Sequence, residues 1–288
     1  MKYTPRQAKT NVNVSPTSPV KEFLALTGGL LAVVVAIYFL IGLAVNLLVP
    51  YLSVEFEKKL AGLLMPEFEQ DARFEPQEDY LQSLADQLQN HCAKLPYDFK
   101  VHYNPAPQFN AVALPGGHII FFSKLFEAAE SENELVFVMA HEMGHYANRD
   151  HLKAMGRGLV LVAISTALFG VDSGLSSLLG NGLSLTELSF SRGQETQADE
   201  FALAMLNCSY GHINGAVQFI RKFPKEADPG DVGHYFSTHP EVERRMDHLA
   251  EIIRSEQLRS DELKPLPKGI TDNRLSRESS ANGSGMME

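Results

Sequence analysis

Apolar and polar positions divide this chain into stretches of different period. From Phe23 to Pro50 no charged side chain interrupts a run of Leu, Val, Ala, Gly and Phe. That run exceeds the roughly 20 residues a helix needs to cross a bilayer. Residues 51–75 hold a short amphipathic stretch with Phe56, Leu60, Leu63 and Leu64 on one face. Leu81, Leu84, Leu88, Cys92 and Leu95 recur at helical spacing and predict a helix over residues 77–95. The period then drops to two. Phe99, Val101 and Tyr103 alternate with polar residues, and the run from Asn110 to Phe122 is broken by Pro115-Gly116-Gly117, which predicts short strands and a turn.

Beyond the strands the period is helical again. Ser131-Glu132-Asn133-Glu134 has the form of a capping box ahead of Leu135, Val136, Val138 and Met139. Thr238-His239-Pro240-Glu241 repeats that form ahead of Val242, Met246, Leu249 and Ile253, and places His239 at the first position of a helix. After residue 262 the chain is rich in Pro, Ser, Asn and Gly, so 263–288 is expected to be a disordered tail, as is 1–22. The insert Gly158–Thr186 is apolar with one charge, Asp172, and its glycines count against one regular helix. It is too short for two membrane spans, which need about 40 residues. A soluble helical hairpin, a lid and a shallow membrane-dipping loop all remain open.

Charge gives the first run an orientation. Lys2, Arg6, Lys9 and Lys21 precede it against a single Glu22, whereas Glu55, Glu57, Lys58 and Lys59 balance just after it. The positive-inside rule then puts 1–22 in the cytoplasm, 23–50 in the membrane and the rest outside the cytoplasm. A cleaved signal peptide would have a shorter apolar core and a small-residue cleavage site, and Val45-Asn46-Leu47-Leu48-Val49-Pro50 offers none, so a retained signal anchor is the expectation. The net charge of −10 excludes the basic surface that a nucleic-acid partner requires. Two cysteines, Cys92 and Cys208, either form one bridge in an oxidising compartment or stay as small buried thiols.

The candidate chemistry lies in the helical part. His141-Glu142-Met143-Gly144-His145 puts two imidazoles one turn apart, so both reach one zinc ion, with Glu142 beside them to take a proton from the attacking water. Such a pattern also arises by chance on exposed helices, but apolar Val138, Met139 and Ala140 imply a buried site. A catalytic zinc wants a third protein ligand and an open fourth position. Glu195, in Ser191-Arg192-Gly193-Gln194-Glu195-Thr196-Gln197-Ala198-Asp199, is the best candidate, with Asp199 one turn later. Taken alone, that pair would read as solvated helix charges.

The combination of H-E-x-x-H, the later S-R-x-x-E-x-x-A-D block and the downstream T-H-P resembles the HtpX-like metallopeptidases, a gluzincin-type group that includes the CAAX prenyl endopeptidases and the periplasmic BepA-like proteases. Asn110-Ala111-Val112-Ala113-Leu114-Pro115-Gly116-Gly117 is similar to that family's edge strand. The resemblance covers roughly residues 77–255. It implies one Zn2+ per chain on His141, His145 and Glu195, with Glu142 as general base and Asp199 supporting a ligand. It further implies His239 and Arg245 near the open metal position, and substrate lying along Asn110, Ala111, Val112 and Ala113.

The expected architecture is α+β: a mostly helical zincin-like peptidase domain over 51–262, with a small sheet, tethered by one transmembrane helix. The expected activity is hydrolysis of internal peptide bonds in polypeptide substrates, for misfolded or damaged envelope proteins. The expected location is the inner membrane, single-pass, with the catalytic domain periplasmic. Two rivals stand beside it: a non-proteolytic assembly factor on the same fold, which the intact Glu142 disfavours, and a mitochondrial inner-membrane homologue, for which 1–22 is a poor targeting helix.

Overall fold

A computed structural model describes residues 18–64, 73–156, 190–222, 239–255 and 261–270 of this protein. Its contacts divide into two units, residues 1–47 and 48–288. The first holds nearly all of α1 (Pro19–Leu48), whose 30 residues bury none of their side chains. Such a helix is about 45 Å long against a hydrocarbon core of about 30 Å. Leu26, Phe39 and Leu40 leave most of their surface bare, which suits lipid rather than water.

The second unit begins with a 3₁₀ turn, Val49–Tyr51, and α2 (Val54–Leu64). Phe56 does not join the inward face of α2: it is 50% exposed, and Glu57 is the residue that is fully buried. The carboxylate goes inside because three hydrogen-bond partners wait for it there. Helix α3 (Glu75–Leu88) buries Leu81, Leu84, Ala85 and Leu88, the stripe that the spacing predicted, and ends in a wider turn over Gln89–Ala93.

Three strands follow: β1 (Lys100–Asn104), β2 (Ala111–Leu114) and β3 (His118–Phe122). Their order is β1-β3-β2, so β3 is central and β2 an edge. β1 runs parallel to β3 with Lys100 opposite His118, and β2 runs antiparallel with Ala111 opposite Phe121. One face of the sheet presents Val101, Tyr103, Ala111, Ala113, Ile119 and Phe121 to the main core. The other carries a smaller cluster of Val112, Leu114, Ile120 and Phe122.

After α4 (Ser123–Ala128) comes α5 (Glu132–Ala147), buried on every side from Glu132 to Tyr146 and therefore the spine of the domain. Ser131 caps it by accepting from the Glu134 N–H, as expected. The Glu134 side chain does not complete the box; it accepts from Glu130 N–H and Lys222 Nζ instead. Residues 150–156 form α6. The insert at 158–186 lies outside the described residues, as do 1–17 and 271–288.

Helix α7 (Arg192–Tyr210) crosses α5 so closely that a Cβ on Gly144 would stand 2.8 Å from Ala198 Cα. Only glycine allows that approach. A disulfide joins Cys92, at the end of α3, to Cys208 near the end of α7. Helix α8 (Ala216–Arg221) precedes α9 (Val242–Ser255). The last helix starts three residues later than the capping pattern predicted, because Glu241 adopts φ +61°, a left-handed backbone that a right-handed helix cannot include. His239 thus sits in a loop and not at a helix start.

Residues 263–270, assigned by composition to the tail, run instead against the start of α5. Lys264 C=O accepts from Glu132 N–H at 2.9 Å, Lys264 N–H donates to Asn133 Oδ1 at 2.8 Å, and Leu266 and Ile270 pack on the core.

Candidate metal centre

Residues four apart on a helix face the same way, and on α5 this brings His141 Nε2 within 3.2 Å of His145 Nε2. Helix α7, passing at Gly144, sets Glu195 opposite them: its Oε2 is 3.6 Å from His141 Nε2 and its Oε1 is 3.5 Å from His145 Nε2. The loop ahead of α9 adds a third imidazole. His239 Nδ1 lies 3.2 Å from His141 Nε2 and 3.0 Å from Glu195 Oε1. All four residues are buried.

The outer nitrogens decide what the inner ones carry. His141 Nδ1 is 2.9 Å from Asp199 Oδ1, and His145 Nδ1 is 3.3 Å from Asp150 Oδ2. An ionised carboxylate only accepts, so each ring keeps its proton on Nδ1 and turns the Nε2 lone pair inward. Lone pairs meeting at 3.2 Å beside a carboxylate repel unless a cation sits among them. Four ligands at tetrahedral positions about 2.0–2.1 Å from a zinc ion lie roughly 3.3 Å apart. The three spacings among His141, His145 and Glu195, 3.2–3.6 Å, fit that figure, and with His239 all four atoms lie within 4.8 Å of one another. The donor set, imidazoles and one carboxylate, suits the same ion.

Burial pushes the His141, His145 and His239 imidazoles below their usual range, so all three are held neutral, as ligation requires. Burial alone would raise the Asp199 carboxyl. The charge and hydrogen bonds of Arg245, with His141, drive it well below the ordinary carboxylate range instead. For Asp150, hydrogen bonds from His145 and Gln194 likewise overcome burial and lower the carboxyl. Glu142 is the opposite case. Burial and then the Glu195 charge push its carboxyl well above the usual value, while the Ala113 amide and Arg245 act against them. No side chain among the described residues hydrogen-bonds its oxygens.

Arg245 does not face an open metal position. Its Nε and Nη2 each donate to Asp199 at 2.7 Å, and its Nη1 lies 2.8 Å from Glu195 Oε2. It reaches Glu195 of the cluster and Asp199, the carboxylate beside the His141 ring. His239 is nearer the centre than a bystander would be, with Nδ1 among the ligand atoms and Nε2 3.7 Å from Glu142 Oε1.

The edge strand adjoins this cluster. Phe122 N–H donates to Asn110 C=O, and hydrogen-bonded pairs alternate along an antiparallel ladder. Ala111 and Ala113 therefore turn their N–H and C=O away from β3, toward the unpaired edge. Asn110 heads the strand, fully buried, and its side-chain amide has no partner among the described residues.

Sequence reasoning missed Asp150, Gln194 and Phe190. Asp150 stands just past the end of α5, where Lys153 Nζ at 3.1 Å and Gln194 Nε2 at 2.7 Å hold it for His145. Its position five residues after His145 was a signal available in the sequence. Phe190 stacks on the His145 ring with centroids 3.8 Å apart, and nothing in its sequence context marks it.

The family model for peptidase family M48 matches residues 73–253. The metalloprotease LoiP of Escherichia coli is 32% identical over 175 residues, which cover 59% of this chain and 68% of LoiP. The beta-barrel assembly-enhancing protease of Yersinia pestis is 25% identical over 68% of this chain and 41% of its own length. The mitochondrial metalloendopeptidase OMA1 of Saccharomyces cerevisiae is 23% identical over 54% of this chain and 46% of its own. The chain thus spans less than half of the latter two.

Proposed function

The chain belongs to peptidase family M48 and is a metal-dependent endopeptidase, and on that premise we propose that it is a membrane-anchored zinc enzyme whose site is the His141–Glu142–His145–Glu195 cluster. The observation that carries this reading is the convergence of inward lone pairs and a carboxylate at 3.2–3.6 Å, beside the unpartnered buried carboxylate of Glu142.

Zinc, when bound, polarises the scissile carbonyl and makes a water acidic near neutral pH. His141, His145 and Glu195 hold it, while Asp199 and Asp150 fix the two rings. Arg245 offsets the charge of Asp199 and Glu195, and its charge and hydrogen bonds keep Asp199 ionised in a buried site. Glu142 takes the proton of the attacking water and returns it to the departing amine. Burial and the Glu195 charge raise the Glu142 carboxyl, which makes it a stronger base. Ala111 and Ala113 offer main-chain hydrogen bonds to an extended substrate added to the edge, and the Asn110 amide lies at the head of that strand. Recognition through main chain is indifferent to side chains. That favours unfolded segments over one sequence, hence clearance of damaged envelope proteins.

Two further features support an extracytoplasmic catalytic side in a bacterial inner membrane. Lys2, Arg6, Lys9 and Lys21 lie ahead of the uncharged run against a single Glu22, while the charges just after it balance, and a Cys92–Cys208 disulfide is typical of an oxidising compartment. Full-length protein in detergent tests the chemistry. One zinc per chain and cleavage of casein are expected, with Glu142→Gln retaining zinc while losing proteolysis by a factor of about 10²–10⁴. A fully active Glu142→Gln variant would overturn the mechanism. Zinc without cleavage of any unfolded substrate by the native chain would leave the assembly-factor reading.

A further inference from the structure

Glu57 is a fully buried carboxylate that the chemistry above does not use. It sits on α2, only a few residues past the end of α1. Its Oε1 accepts from Gly116 N–H at 3.0 Å and from His151 Nε2 at 2.7 Å, and its Oε2 accepts from Tyr97 Oη at 3.0 Å. Burial would raise this carboxyl, and those partners together lower it, so the group stays ionised.

The three partners belong to different parts of the site. Gly116 lies in the turn that joins the edge strand β2 to β3. There the backbone is left-handed, with φ +85° at Gly116, and a Cβ would meet Ala61 of α2 at 3.0 Å. Helix α2 therefore rests directly on that turn. His151 follows Asp150, the residue that orients His145. Tyr97 packs on Tyr146 with ring centroids 4.8 Å apart, and Tyr146 Oη donates to Leu114 C=O and His118 C=O, at the two ends of the same turn. Arg149, between the zinc helix and Asp150, donates to Val49 C=O and Leu52 C=O just ahead of α2.

We propose that Glu57 is a positioning residue for peptide hydrolysis: from the helix that follows the membrane span, it fixes the turn that sets the height of the substrate-binding edge strand against the metal centre. β2 has only four residues and pairs on one side, so its place depends on its ends. Tyr146 holds that turn from α5 and Glu57 holds it from α2. A shift of the turn moves the outward N–H and C=O groups of β2 out of register with a bound strand, and the main-chain hydrogen bonds they offer are lost. The membrane-proximal helix is then part of the catalytic apparatus and not a spacer. This inference rests on the edge-strand reading of substrate binding.

The experiment compares a short peptide, two residues either side of the scissile bond, with a long one carrying five, in full-length detergent-solubilised protein. The native enzyme should favour the long peptide in kcat/KM, because only that one gains the β2 hydrogen bonds. Absence of a length preference in the native enzyme would sink the edge-strand reading, and this proposal with it. Given that preference, Glu57→Ala should lose about tenfold on the long peptide, the worth of one or two main-chain hydrogen bonds. It should change little on the short peptide and should keep its zinc. Glu57→Gln keeps one oxygen to accept from Gly116 N–H and turns its NH2 toward Tyr97 Oη, which can accept in its place, so it should recover most of the loss. If Glu57→Ala does not fold, Glu57→Gln alone decides through a smaller loss confined to the long peptide. Equal loss on both peptides, or none on either, overturns the proposal.

Discussion

Arg245 grips Asp199 with two hydrogen bonds of 2.7 Å, from Nε to Oδ2 and from Nη2 to Oδ1. A planar guanidinium is the one side chain that can make this fork and still reach Glu195 with its remaining nitrogen. Arg245→Ala should therefore leave two buried carboxylates uncompensated. Breaking a buried pair from one side costs about 3–5 kcal/mol, and loss of a ligand's support lowers metal affinity about 10–100-fold. Arg245→Lys, a point charge, should rescue less than half of this. Chelator competition measures it, and native zinc affinity in both variants would remove Arg245 from the site.

Gly144 faces Ala198 at a distance that admits no side chain. Gly144→Ala must push α5 from α7, separating the histidines from Glu195 as it does so. Overpacking of this kind costs about 1–3 kcal/mol, so the thermal midpoint should fall together with zinc content. If the added methyl is absorbed with full zinc content, the two helices are less tightly coupled than the approach implies.

Much of this was open to inspection in the sequence, and what was hidden has a common cause. His141, Glu142 and His145 are read from one helical period because the set is local, whereas Glu195 with Asp199, which alone reads as solvated helix charges, is singled out by the family resemblance. The edge strand is legible because it too is local, with Pro115-Gly116-Gly117 marking its end. Asp150, Phe190 and the partners of Glu57 depend on contacts across the chain, such as His151 with Glu57, that no local period announces. In sequence Glu57 counts only as one of the charges that balance after the apolar run, while Phe56 is read with the apolar face. Burial of Glu57 reverses that face, because the domain offers it three hydrogen-bond partners and Phe56 none. Arg245 was expected near the open metal position, and its guanidinium is instead taken up by Asp199 and Glu195, contacts across the chain that local spacing does not announce. The capping pattern at Thr238 misled because it takes no account of the left-handed backbone at Glu241.

Away from the metal centre, His102 and His118 stack with a 2.9 Å contact from Nε2 to Nδ1. Burial, followed by the charges of His118 and Lys100, lowers His102 to about 4; burial and Lys100 lower His118 too. Below the unfolded value of about 6.5 the unfolded chain binds protons that the folded pair refuses. Stability from this pair is thus complete above pH of about 6.5 and is lost as pH falls toward about 4. His102→Gln should flatten the dependence of the thermal midpoint over that window. The metal site is common to both proteins, so its own pH dependence cancels in the difference. Parallel curves would show that the pair does not titrate as described.

His239 presents the sharpest test of how the site is kept. A working zinc peptidase needs one coordination position open for water. Here His239 Nδ1 stands among the ligand atoms, 3.0 Å from Glu195 Oε1, while Nε2 is 3.7 Å from Glu142 Oε1. The ring thus lies between the base and the ligands, in the space an attacking water would use. Its loop is held from the surface. Glu241, strained at φ +61°, pairs with Arg192 at 2.6 Å and Arg244 at 3.6 Å. Both arginines are largely exposed, and such pairs are worth little each. A ring seated between base and ligands, on a loop ahead of the last helix, is placed to leave when substrate arrives. We therefore expect His239→Ala to retain zinc on three protein ligands and to cleave unfolded casein several-fold faster than the native enzyme. A fall in turnover with zinc retained would assign His239 to stabilising the oxyanion instead, an effect of a few kcal/mol at most. Native turnover and native zinc affinity together would show that the ring plays neither part.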